Sequence, residues 1–67
     1  LSKAATGRSY TIQWMFGVPE VMDFLREHHV EEGDNIQIIR KLKDALIVGV
    51  KGSRFAMGNE IADRIQV

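Results

Sequence analysis

Two histidines stand side by side in this 67-residue chain, His28 and His29, and imidazole is the side chain best suited to proton transfer or metal ligation near neutral pH. They fall within a run rich in carboxylates: Glu20, Asp23, Glu27, Glu31, Glu32 and Asp34, with Arg26 the only base from Glu20 to Asp34. Oxygen and nitrogen donors of this kind suit a hard divalent cation such as Fe²⁺ or Mg²⁺. The spacing argues against such a site. Adjacent positions on a helix diverge by ~100°, so two neighbouring rings do not meet one metal. His29 could join Glu32 or Asp34 only if the following loop folds back. Glu20, Asp23 and Glu27 lie near one helix face, which reads as a solvated acidic face without the spacing of a calcium loop.

Other chemistry finds less support. Ser9 and Ser53 have no histidine close in sequence to act as a base. Gly49-x-x-Gly52 is too short for a phosphate loop and opens a hairpin rather than a helix. The absence of cysteine excludes disulfides and thiolate metal sites, and is compatible with the cytosol. The expectation is a chain that is not an enzyme, with no catalytic, cofactor-binding or metal-binding residue and no cofactor.

The elements that would position these groups are short. Tyr10, Ile12, Trp14 and Phe16 alternate with Ser9, Thr11, Gln13 and Met15, which predicts one strand ending at Gly17 with the aromatic face in the core. Pro19 suits a first helical position. Val18, Val21, Met22 and Leu25 then recur at helical spacing, with Phe24 at the edge of the stripe. The predicted helix has about three turns, with Glu20 and Asp23 near its N-terminus and His28 and His29 near its C-terminus, each favoured by the dipole. Glu31 to Asp34 makes a turn.

In Asn35 to Lys41, Ile36 and Ile38 share one face while Ile39 takes the other. A polar turn at Lys43-Asp44 leads to a strand over Ala45 to Val50, and Lys51-Gly52 supplies a two-residue hairpin connection. Ser53 to Met57 returns as a strand, Gly58 to Ala62 fits one helical turn, and Arg64 to Val67 closes the chain as a strand. About five short strands must hide their edges, and a small SH3-like barrel does so. The predicted fold class is therefore mainly β, with one α-helix between strands 1 and 2. Its predicted core is Ile12, Trp14, Val21, Leu25, Ile36, Ile38, Leu46, Val48, Ile65 and Val67.

A chain of this size forms one domain, 1–67, and buries only about 60% of the surface its unfolded state exposes. Function is therefore expected on the surface rather than in an internal cavity. Residues 1–6 read as a flexible lead-in, and the missing initial methionine reads as the mark of a processed or trimmed chain. No apolar run is long enough to span a bilayer, and the N-terminus lacks the apolar segment of a signal peptide. Nine basic and nine acidic residues give zero formal net charge, which argues against a dedicated nucleic-acid binder. The charges are nonetheless segregated. Between Arg40 and Arg54 the bases are Arg40, Lys41, Lys43, Lys51 and Arg54, and the only acid is Asp44.

The last third of the chain carries a resemblance. Gly52-Ser53-Arg54-Phe55-Ala56-Met57, followed by Glu60-Ile61-Ala62-Asp63-Arg64-Ile65-Gln66-Val67, resembles the end of the FeoA family of bacterial ferrous iron transport proteins. Those proteins close with a Gly-Ser-Arg-aliphatic-Ala-aliphatic strand, a polar turn, and Glu-x-Ala-x-x-Ile-x-Val. Val30 to Ile39 is similar to the family's aliphatic-x-x-Gly-x-x-aliphatic-x-aliphatic run, and the match extends from Gly7 to Val67. His28-His29 stand where the family has Leu-Gly, and the Leu42-Lys43-Asp44 connection is shorter than the family's.

The resemblance implies a small cytoplasmic accessory protein of ferrous iron uptake. It would bind and modulate the cytoplasmic part of a FeoB-type permease without entering the membrane or taking nucleic acid. The resemblance leaves two alternatives: the SH3-like C-terminal domain of a DtxR-type iron-dependent repressor, or a small-barrel nucleic-acid binder using the basic hairpin. Docking is expected on the rim, at His28, His29 and Val30 of the helix end and at Lys43 and Lys51 of the basic hairpin.

Overall fold

The first aromatic run makes two strands rather than one. In the computed structural model, which describes residues 1–67, β1 is Ser9–Thr11 and β2 is Trp14–Met15. They are followed by α1 (Pro19–Glu27), β3 (Asn35–Lys41), β4 (Ala45–Val50), β5 (Ser53–Gly58), α2 (Asn59–Ala62) and β6 (Ile65–Gln66). β1, β3, β4 and β5 form one antiparallel sheet in that order, and β2 pairs antiparallel with β6 in a second. The expected closed barrel is thus replaced by two sheets, and six strands replace about five. The helix lies between β2 and β3, not between the first two strands.

The cause is a change of partner at Ile12. Its N–H still donates to Asp34 O at 2.9 Å and its carbonyl accepts from Gly33 N at 2.8 Å, continuing the β1 side. One residue on, Gln13 N donates to Gln66 O at 2.7 Å, and Phe16 N donates to Arg64 O at 3.0 Å. The switch shifts the alternation by one residue. Ile12 stays in the core, but Met15 is the next side chain packed against it. Trp14 and Phe16, expected in the core, are 48% and 43% exposed. Side chains alternate strictly along a strand, so a slip of one residue inverts every later position.

The remaining elements follow their local signals. Pro19 opens α1 with Glu20 in the first turn and Arg26 in the last. Leu25 is buried, Val21, Met22 and Phe24 are half-buried, and Val18 is exposed as the residue before the helix. On β3, Ile36 and Ile38 are buried on the same sheet face as their neighbours Leu46 and Val48 of β4 and Met57 of β5. A bulge at Ile39 shifts the pairing from Ile38↔Val48 to Arg40↔Ile47. Lys51 and Gly52 have φ of 52° and 83°, the two positive values a tight hairpin turn with the right-handed strand twist requires.

Twelve residues are buried and all are apolar: Ala4, Ile12, Leu25, Val30, Ile36, Ile38, Leu46, Val48, Val50, Met57, Ala62 and Ile65. Val21 and Val67 pack against this cluster half-buried. The N-terminal residues, expected to be flexible, are placed against the body. Ala4 is buried, the Leu1 nitrogen donates to Ile65 O at 3.0 Å, and Ser2 Oγ donates to Asp63 Oδ1. Ala5 N donates to the Tyr10 hydroxyl at 3.0 Å.

Candidate functional site

The C-terminus of α1 builds the most developed surface feature. His29 N donates to Arg26 O at 3.0 Å and Val30 N donates to Leu25 O at 2.9 Å. With His29 at φ 57°, this is a Schellman cap, and its usual apolar contact is present because Leu25 and Val30 are both buried. The histidine at position 29 therefore occupies the left-handed site that a glycine fills without steric cost. The cap needs a left-handed residue here whichever side chain it carries, and histidine meets that need at a steric cost that glycine would not have.

The two histidines point to different surroundings. The His28 ring lies 4.3 Å from the Phe24 ring and 4.3 Å from the Phe55 ring, centroid to centroid, which ties the helix to β5. Its Nδ1 is 2.9 Å from Phe24 O, so in the tautomer carrying a proton there it donates to that carbonyl. His29 is exposed. Val30, expected on the docking rim, is only 3% exposed. It is a core residue because the cap turns it inward onto Leu25.

Beside this cap lies an open cleft of about 550 Å³ lined by Met15, Met22, Leu25, Arg26, His29, Val30, Glu31 and Glu32. Its floor is apolar and its rim carries both charge signs. Along one wall runs β2, whose Met15 N–H donates to Glu32 Oε2 at 3.2 Å. Across the loop, Lys51 Nζ lies 3.3 Å from Asp34 Oδ2 and 3.7 Å from Glu31 Oε2. Glu31 is largely solvated and Lys51 about half so, which keeps the stability gained from their pair small, but the pairs bring the β4–β5 turn to the helix-end loop.

The structure thus groups Lys51 with the helix-end residues and leaves Lys43 apart. Lys43 and Lys51 flank opposite ends of β4, roughly 20 Å apart along the strand. They do not form one basic patch.

A second surface carries no signal in the sequence. Trp14 and Phe16 stack with centroids 4.8 Å apart, and the Arg64 guanidinium lies 5.8 Å from the Phe16 ring centre. Phe16, Glu60, Asp63 and Arg64 line a shallower cleft of about 350 Å³. Alternation gave no signal for this, since no glycine or proline marks the break at Gln13.

No three side chains among His, Cys, Asp and Glu come together as a metal-binding group. Anaerobic titration with Fe²⁺ is expected to show no stoichiometric site of micromolar affinity or tighter. A 1:1 binding isotherm in that range, read by calorimetry, would refute this expectation.

Comparison with known proteins bears on the whole chain. A crystal structure described as an iron uptake regulatory protein (FeoA) superposes with a TM-score of 0.87 at 26% sequence identity, covering 97% of this chain and 88% of that one. The comparison with curated proteins returned no match. The family model described as the FeoA domain matches residues 1–67. With the two-sheet fold, the capped helix and the closing β5–α2–β6 segment all lying inside that match, this chain belongs to the FeoA domain family.

Proposed function

We propose that this domain is an accessory of ferrous iron uptake that works by protein–protein contact, binding and modulating the cytoplasmic part of a FeoB-type permease. The observation that carries this reading is the family match over all 67 residues. The close structural relative described as an iron uptake regulatory protein supports it.

The docking surface in this reading is the helix-end cleft. Its apolar floor of Met15, Met22, Leu25 and Val30 can take an apolar anchor, and Arg26, His29 and Lys51 set the charge around it. His28 holds the wall in place through Phe24 and Phe55. Lys43, at the far end of β4, contributes by steering an acidic partner rather than by contact in the cleft.

The test is binding of the soluble domain of the cognate permease to immobilised chain. An Arg26→Glu/His29→Glu double variant changes only exposed side chains of the cleft. It is expected to weaken the complex roughly tenfold or more. A Lys43→Glu/Lys51→Glu variant is expected mainly to slow association and flatten its salt dependence. Wild-type binding by both folded variants would refute the docking placement. Absence of binding by the wild type would refute the permease reading itself.

A further inference from the structure

The β3–β4 turn gathers a set of cations that form no ion pair. Arg40 and Lys41 end β3, Leu42 N donates to Ala45 O at 2.8 Å to close the turn, and Lys43 and Asp44 complete it. All five residues from Arg40 to Asp44 are exposed. The ion pairs of the protein are Arg26–Asp23 and those of Lys51 with Glu31 and Asp34, so Arg40, Lys41 and Lys43 have no acidic partner. The acids nearest this turn are Asp44 itself, whose carbonyl accepts from Asn59 N at 2.9 Å, and Glu60 beside Asn59. Three cations against Asp44 leave the tip positive although the chain is neutral overall.

Beside its apex of Lys43 and Asp44 is Leu42, 44% exposed and outside the core cluster. An aliphatic side chain held out among three cations matches the interface of an anionic bilayer, where the head groups attract the cations and the side chain enters the acyl boundary. A single-stranded nucleic acid would call for a ring on which to stack bases, and residues 40–44 contain none, while a duplex would use the cations but leave Leu42 without an apolar partner. An acidic peptide would use the cations but would leave Leu42 in water.

We propose that the Arg40–Lys43 hairpin tip is a peripheral docking point for an anionic lipid surface, with Leu42 as the inserted side chain. The contact orients the domain at the membrane plane and leaves the helix-end cleft, beyond the other end of β4, facing away from lipid. Attraction by three cations is weak and screened by salt, so binding is reversible and falls steeply as ionic strength rises.

Co-sedimentation of the full chain with vesicles tests this, using phosphatidylcholine alone against phosphatidylcholine with 30% phosphatidylglycerol (roughly the anionic load at which surface charge attracts basic segments). The expected result is binding to the anionic vesicles only, lost at high salt. Lys41→Gln/Lys43→Gln should lower the partition coefficient roughly thirtyfold, at about fivefold for each cation removed. Leu42→Ser should lower it roughly tenfold. Circular dichroism of both variants checks that these exposed substitutions leave the fold intact. Equal binding to both vesicle types, no binding, or wild-type binding by either folded variant would overturn the proposal. So would preference for an oligonucleotide or a polyglutamate peptide over the anionic vesicles. The vesicles contain no permease, so failure here is distinct from failure of the permease reading.

Discussion

Replacing Val30 by aspartate is expected to leave the domain unfolded at 25 °C. Val30 is 3% exposed and meets Leu25 beneath the helix cap. No basic side chain is among the buried residues, so a carboxylate there would lack a partner. Placing an unpaired charge in such a site costs about 4 kcal/mol or more. A core of this size supplies only about 3–5 kcal/mol of net stability. The neighbouring position should behave in the opposite way. His29 holds φ 57°, a conformation that costs a β-carbon-bearing residue roughly 1 kcal/mol. His29→Gly relieves that cost and is expected to stabilise by about 0.5 kcal/mol, part of the gain being offset by backbone entropy. Urea denaturation followed by circular dichroism reads both. A Val30→Asp chain with a wild-type midpoint would return Val30 to the surface, and a strongly destabilised His29→Gly would remove the cap from the account.

Leu46→Ala is expected to destabilise the domain by about 3–4 kcal/mol, whereas Trp14→Ala should cost about 1 kcal/mol. Leu46 is 1% exposed and pairs across the sheet with Met57, which is fully buried. Truncating it leaves a cavity walled by β-sheet side chains that cannot collapse without moving backbone. Trp14 lies half in solvent, so its removal forfeits chiefly the stack on Phe16. The ordering is the point of the test, because the alternation of the sequence alone places Trp14 in the core and assigns it the larger loss. Equal destabilisation by the two substitutions would mean that Trp14 is buried and that the shift of alternation at Ile12 does not occur.

Much of the helix and of the main sheet was legible in the residues. Pro19 and the Val21, Met22 and Leu25 stripe located α1, and Ile36, Ile38, Leu46 and Val48 marked the buried faces of β3 and β4. Lys51-Gly52 marked the hairpin turn, and Gly58 to Ala62 marked the single turn of α2. The order of these elements, together with the Gly52 to Met57 and Glu60 to Val67 motifs, also carried the family. All of these signals are local: a cap, a turn or an alternation is written within a few residues of where it acts.

What the sequence could not decide was which strands meet. Tyr10 to Phe16 alternates without interruption, yet the chain leaves β3 for β6 at Gln13, a choice that depends on residues more than 50 positions away. That one exchange of partners opens the expected barrel into two sheets, turns Trp14 and Phe16 outward and brings Met15 to the wall of the helix-end cleft. The charges divide in the same way. Lys43 and Lys51 look equivalent along the chain, but folding brings Lys51 to Glu31 and Asp34 and leaves Lys43 free beside Leu42. Spacing along a strand fixes which side chains share a face, while register and the path of the chain fix what that face confronts, and these are set only when distant segments pair.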